Sequence, residues 1–326
     1  MIEEVSEDLY RIRIPLPQYY PKSVNAYVVK DAERSLIIDA GLKDENCLRA
    51  LHVAFKKLGL VSEKTDFFVT HGHGDHAGLI PELMASATTV FINRLEAEFI
   101  KSMGSGVLFL ELQQFYRMCG LPEEHFEKMI PRIINSTWLN TPAFHFLQEG
   151  DTIERGRYRF VCAETPGHNK GHMCLYEPDR RLLIAGDHLL EKAIPPVVGR
   201  NDTENPLRTY LSSIEKTSSL RIDTVLPGHG KPFKNCRQRI EEIREYHREQ
   251  NRRFLSVLGS EPITIHEASL RMRHRRDSGL SDLSSVLQSF LAAESAFVHL
   301  RFLELEGKIR RQTEGQSIKY SLCQNS

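Results

Sequence analysis

The chain has 326 residues, 40% of them hydrophobic, with 43 basic and 43 acidic side chains and no formal net charge. Such a length argues for one large domain with a smaller companion, and the even charge gives no overall reason to expect nucleic acid or an anionic membrane as partner. The acidic start Met1-Ile-Glu-Glu-Val-Ser-Glu-Asp8 lacks the apolar core of a signal peptide, and no later run reaches the ~20 apolar residues of a membrane span, so the expected location is cytoplasmic.

Residues 9–15 alternate apolar and polar side chains and 25–29 and 36–38 are short apolar runs, which predicts an opening set of strands. Apolar residues at helical spacing predict a helix over 44–58, stopped at Gly59. Next come a buried strand at 67–69, a loop, a short helix over 77–84 and a strand at 89–92. Residues 94–148 break the rhythm with a mostly helical stretch, readable as a lid or as padding against the sheet. Strands resume at 158–163, 173–176 and 182–185, followed by a helix over 206–220 and a strand at 224–226. A charged amphipathic helix spans 237–258, and helices at 263–272, 281–293 and 295–306 precede a ribbon over 308–322, the order of a winged helix. The predicted domains are therefore 1–236 and 237–326.

The chemistry concentrates in His71-Gly-His73-Gly-Asp75-His76-Ala-Gly78. Three imidazoles and a carboxylate within six positions suit Zn²⁺, Mn²⁺ or Fe²⁺, and the glycines allow a loop tight enough to aim them. Four more points fall at strand ends: Asp39, then His168 and His172, then Asp187 beside His188, and finally His229. Each alone reads as a turn former or a satisfied histidine, but their order is specific. The six cysteines (Cys47, Cys119, Cys162, Cys174, Cys236 and Cys323) have no close pair and read as reduced thiols, with no role as nucleophile or zinc ligand.

With these elements in place, residues 8–235 resemble the metallo-β-lactamase superfamily, on the HxHxDH loop and the later His, Asp and His. The resemblance implies an α/β fold, a four-layer αββα sandwich with two divalent metal ions at one sheet edge, Zn foremost and Fe or Mn also suited. It implies that His71, His73 and His168 hold one ion, that Asp75, His76 and His229 hold the other, and that Asp187 bridges them; Asp75 and Asp187 are then the catalytic carboxylates. Asp39 would support the ligand loop, and His172 and His188 would orient neighbours or serve the fold. Five neutral imidazoles and two carboxylates leave room for solvent on both ions, which marks a catalytic site with a metal-bridging hydroxide as nucleophile.

The missing export signal and the Asp at 187 argue against a true β-lactamase, and the donor set is similar to that of glyoxalase II, lactonases and zinc-dependent endonucleases. The expected activity is hydrolysis of a thioester, ester or lactone of a small molecule; cleavage of single-stranded RNA is the alternative, and a DNA-binding regulator with a sensory metal site is the third. The last domain resembles a winged-helix appendage. Residues 260–326 carry nine basic against eight acidic side chains, poor for a phosphate-binding face, so packing beside the site or in a homodimer is the simpler role. Arg271, Arg273, Arg275 and Arg276 read as a solvated basic face.

Overall fold

A computed structural model describes residues 1–16, 21–123, 126, 144–273 and 285–323. They form an α/β fold of two compact units. The first draws on Met1–Ser105, Ser136–Pro195 and Ser213–Arg239, and the second on Gly106–Asn135, Pro196–Ser212 and Ile240–Ser326.

In the first unit seven strands lie side by side in chain order: β1 (Ile2–Ser6), β2 (Leu9–Pro15), β3 (Ser23–Val29), β4 (Ser35–Ile38), β5 (Thr65–Phe68), β6 (Val90–Asn93) and β7 (Phe144–Leu147). Neighbours from β1 to β4 are antiparallel, and those from β4 to β7 are parallel. Successive side chains of a strand face opposite ways, and both faces of this sheet are covered. Val24, Ala26 and Val28 enter one core with Leu51, Ala54 and Ile80 from helices, whereas Tyr27 and Val29 enter another with Phe160, Leu175 and Ile184. Those last three belong to the second sheet, which is ordered β12 (Thr224–Pro227), β11 (Leu182–Gly186), β10 (Met173–Glu177), β9 (Tyr158–Glu164) and β8 (Thr152–Arg155).

The outer face of the first sheet carries α1 (Glu45–Leu58), held by its own sequence. Asp44 accepts from Asn46 N at 2.8 Å as N-cap, and Gly59 ends the helix at φ 67°. The helix expected over 77–84 is instead two turns, α2 (Gly74–Ala77) and α3 (Ile80–Leu83). Pro81 has no N–H to bond back to Ala77, so one helix cannot run through. Strands β1, β7 and β8 were not foreseen: β1 is acidic, β8 buries only Ile153 fully, and β7 lies within the stretch read as helical. That stretch holds α4 (Arg94–Ser105) and α5 (Val107–Met118), parted by Gly106 at φ 76°, and residues 124–125 and 127–143 lie outside the described residues. Helices α6 (Pro206–Ser218) and α7 (Cys236–Val257) fall within two residues of their predicted ends.

In the second unit α5 packs against α9 (Ser285–Leu305), where Phe115 meets Phe290 and Phe297 at centroid distances of 5.8 and 5.6 Å. Two helices were expected here, but α9 runs unbroken through Glu294, which is buried and accepts from Arg200 Nε at 2.9 Å. Helix α8 (Ile265–Arg273) precedes it, and β14 (Ile309–Glu314) and β15 (Ser317–Leu322) form a ribbon that β13 (Ile263–Thr264) joins as a third strand. Arg275 and Arg276 lie outside the described residues. Among the described residues no helix is long and apolar enough to cross a membrane.

One buried charge ties the first unit together. Asp66 accepts from Arg34 Nη1 at 2.8 Å, from Arg155 Nη2 at 2.5 Å and from Thr89 N at 2.9 Å, so β5 is joined to β8 of the opposite sheet. Removing the carboxylate leaves two guanidinium groups short of a partner, so Asp66→Ala should cost about 3 kcal/mol of stability. Urea unfolding measures it, and a loss below about 0.5 kcal/mol would show that water replaces the pair at no cost.

Candidate metal centre

Every side chain of the centre leaves the C-terminal end of a strand. Asp39 follows β4, residues 71–76 follow β5, residues 168–172 link β9 to β10, Asp187 follows β11 and His229 follows β12. Asp39 itself sits at φ 59°, a left-handed turn that Asp tolerates better than most residues. The turn aims its buried carboxylate at the next loop, where Oδ1 accepts from Thr70 N at 2.9 Å and Oδ2 accepts from Thr70 Oγ1 at 2.8 Å and from His76 Nδ1 at 2.7 Å.

These bonds fix the imidazole tautomers, which are assigned from partners. A carboxylate only accepts, so Thr70 spends its proton on Asp39 and must accept from His71 Nδ1, 3.1 Å away. His71 therefore presents Nε2 as a lone pair. His76 gives its Nδ1 proton to Asp39, and His229 gives its Nδ1 proton to Ser23 O at 2.8 Å, so each ring directs Nε2 inward. Asn25 Nδ2 and Tyr27 Oη both donate to Pro227 O at 2.8 Å, which anchors the loop bearing His229 to the first sheet.

Two donor groups result. In the first, His71 Nε2, His73 Nδ1 and His168 Nε2 stand 3.0 to 3.2 Å apart. In the second, His229 Nε2 lies 3.3 Å and His76 Nε2 lies 3.8 Å from Asp75 Oδ2. Asp187 faces both: Oδ2 is 3.7 Å from His168 Nε2 and 3.5 Å from His229 Nε2, and Oδ1 is 3.6 Å from His76 Nε2. The ligand atoms of His71, His73 and His168, of His71, His76 and Asp187, and of Asp75, His76 and His229 each lie within 4.8 Å of one another, close enough to hold a metal ion.

The electrostatics fit a cation. Burial alone would lower the His76 pKa, but Asp187, Asp75 and Asp39 outweigh it and hold the value up at about 10. His229 is likewise raised against its burial by Asp187 and Asp75. The carboxylates thus call for positive charge where these rings point. Burial drives His73 down to about 3, helped by His168, and His71 is pushed well below its ordinary value by burial and its neighbouring imidazoles, so both rings are neutral donors. His76 Nε2 and Asp187 Oδ1 are buried with no hydrogen-bond partner among the described residues, a costly state that a shared metal ion relieves.

The two remaining histidines lie outside the donor groups. His172 Nε2 accepts from Asp187 N at 3.1 Å while Nδ1 donates to Thr165 Oγ1 at 2.8 Å, so it holds the backbone that presents Asp187. His188 Nε2 lies 2.8 Å from Thr217 Oγ1, and His188 belongs to none of the three groups able to hold a metal ion. Cys174 is buried beside Thr165, and burial raises its thiol to about 12, so it is no thiolate nucleophile. Three participants escaped the sequence reading. Thr70 and the Ser23 carbonyl set tautomers, and Glu96, in the first turn of α4, accepts from Gly72 N, Asn169 Nδ2 and Gly171 N. An acid early in a helix is an ordinary helix-start signal, which hid Glu96.

Comparison with known proteins agrees with this geometry. Residues 19–229 match the family model described as Metallo-beta-lactamase superfamily. The chain is 25% identical over 331 residues to the probable metallo-hydrolase YqjP of Bacillus subtilis, covering 97% of this chain and 98% of that protein. It is also 25% identical over 222 residues to the human acyl-coenzyme A thioesterase MBLAC2, covering 64% of this chain and 74% of that one. The crystal structure of the metallo-beta-lactamase family protein TTHA1429 from Thermus thermophilus superposes with a TM-score of 0.83 at 27% identity, covering 98% of this chain and 100% of that chain. Because the family match takes in every donor from His71 to His229, and these donors gather in one place able to hold metal, the chain belongs to the Metallo-beta-lactamase superfamily as one of its metal-dependent hydrolases.

Proposed function

We propose that the protein is a dinuclear metal hydrolase acting on a thioester, ester or lactone of a small molecule, with thioesters foremost. The observation that carries it is the position of Asp187, whose two oxygens face both donor groups within 3.7 Å. In this reading His71, His73 and His168 hold one ion, Asp75, His76 and His229 hold the other, and Asp187 serves both. Zinc suits the donors best, and iron or manganese suits them too. When bound, such ions supply Lewis acidity that makes water nucleophilic near neutral pH and polarises a scissile carbonyl.

The chain's own residues do the remaining work. Asp39 keeps the His71 and His76 lone pairs turned inward, Ser23 O does so for His229, and His172 holds the Asp187 backbone. Asp75 and Asp187 supply the negative charge that holds cations in place. The thioester preference is supported by the human relative named as an acyl-coenzyme A thioesterase.

The test is a paired assay of zinc-loaded protein on acyl-coenzyme A thioesters and lactones against a labelled single-stranded RNA, with His71→Ala as control. Thioester turnover should fall on the order of 10³-fold in the variant, about 4 kcal/mol of barrier. RNA cleavage lost in His71→Ala, with no thioester turnover, would replace this reading by a nuclease. Asp75→Ala should bind one ion per chain where the parent binds two, by metal analysis after dialysis, with its fold kept; two retained ions would refute the ligand assignment. Cys174→Ala should change turnover by less than about threefold, since a buried protonated thiol is a poor nucleophile.

A further inference from the structure

Glu96 is a carboxylate only 1% exposed, and among the described residues no cationic side chain pairs with it. Burying an unpaired charge costs several kcal/mol unless hydrogen bonds compensate, so its partners explain why it is there. Oε2 accepts from Gly72 N at 2.6 Å and from Asn169 Nδ2 at 2.6 Å, and Oε1 accepts from Gly171 N at 2.7 Å. Gly72 lies between His71 and His73, and Asn169 directly follows His168. One side chain therefore bonds both loops that carry the three-histidine group, and it bonds neither Asp75, His76 nor His229. His76 and His229 are held from elsewhere, by Asp39 and by Ser23 O.

The chemistry of the three partners excludes a neutral substitute. All three are N–H donors, and only an acceptor-only group with two oxygens meets them all. A Gln at this position must turn its amide NH₂ toward at least one of them. The helix stands tight against the loops: a Cβ on Gly72 would come 2.8 Å from Phe99 Cδ1, and one on Gly171 would come 2.6 Å from Asn93 Oδ1 and 2.9 Å from Leu95 Cβ. Hence the loops cannot shift toward α4 to recover a lost bond, and a missing acceptor is felt as displacement of the imidazoles.

We propose that Glu96 is a positioning residue that sets the metal affinity of the His71–His73–His168 group and leaves that of Asp75–His76–His229 unaffected. This rests on the dinuclear reading above. The Asp75→Ala protein isolates the three-histidine group, so the experiment compares Asp75→Ala with Asp75→Ala/Glu96→Gln by Co²⁺ titration against a competing chelator, following the visible absorption of bound Co²⁺. Thermal unfolding of the metal-free proteins checks that both are folded. The double variant should bind Co²⁺ roughly 10- to 100-fold more weakly, the usual effect of losing a group that orients ligands, with a changed absorption band. Asn169→Ala, which removes one bond and keeps the carboxylate, should weaken the same site by a smaller factor, and it decides the matter if Glu96→Gln does not fold. Unchanged Co²⁺ affinity and spectrum in either folded variant would overturn the inference alone. A parent protein that takes up no Co²⁺ would overturn both the inference and the dinuclear reading.

Discussion

The centre depends on one buried carboxylate taking three hydrogen bonds. Asp39 binds Thr70 N, Thr70 Oγ1 and His76 Nδ1, and each bond has a consequence for a different donor. The hydroxyl bond forces His71 to give its Nδ1 proton to Thr70, and the ring bond takes the Nδ1 proton of His76. One imidazole of each donor group is thereby turned lone pair inward by the same anion. Because the bonds are buried, each is stronger than in water and the loss of any one is more costly. The left-handed backbone at Asp39 is a local cost borne for that geometry, as strain at functional sites often is.

The sheets make this arrangement available. Parallel strands β4, β5 and β6 end on the same side, and β11 and β12, parallel to each other, bring Asp187 and His229 out beside one another. The shared core of Tyr27, Ile38, Phe68, Phe160 and Ile184 holds the two sheets face to face. Close-packed interiors transmit small shifts, so a defect in this core would move the two loop sets relative to each other. The bonds from Asn25 and Tyr27 to the carbonyl of Pro227 fix the same relation at the rim.

Much of the first unit was legible in the sequence, because its strands are short apolar runs bounded by turns and each ligand follows such a run. Strand β2 and helix α1 could be read nearly to the residue: period-two alternation marks one, and apolar residues at helical spacing with a terminal Gly mark the other. Strands β1, β7 and β8 could not, since Ile2–Ser6 and Thr152–Arg155 carry too few apolar residues and Phe144–Leu147 abuts a helical stretch. The break expected within α9 failed for a tertiary reason, as Arg200 from a distant segment satisfies Glu294 inside the helix. Within the centre, His71, His73, Asp75 and His76 were legible because they cluster in sequence, and His168, Asp187 and His229 through their order at strand ends, whereas Thr70, the Ser23 carbonyl and Glu96 were not. Their importance lies in which N–H or hydroxyl they meet in space, and spacing along the chain carries no trace of it.

The four carboxylates around the centre divide into two kinds by what faces them. Asp39 and Glu96 each meet three donors, so their oxygens are turned toward protons already in the protein. Asp75 and Asp187 instead face the Nε2 atoms of His76, His168 and His229, and their charge raises the pKa of His76 and His229, so positive charge is favoured where rings and carboxylates meet. A ring proton can supply that charge, and so can a metal ion that takes the proton's place between imidazole and carboxylate, which is the arrangement metal ligands require. Their partners thus separate the carboxylates that shape the loops from those able to meet a metal ion, a distinction that residue type and sequence position leave open.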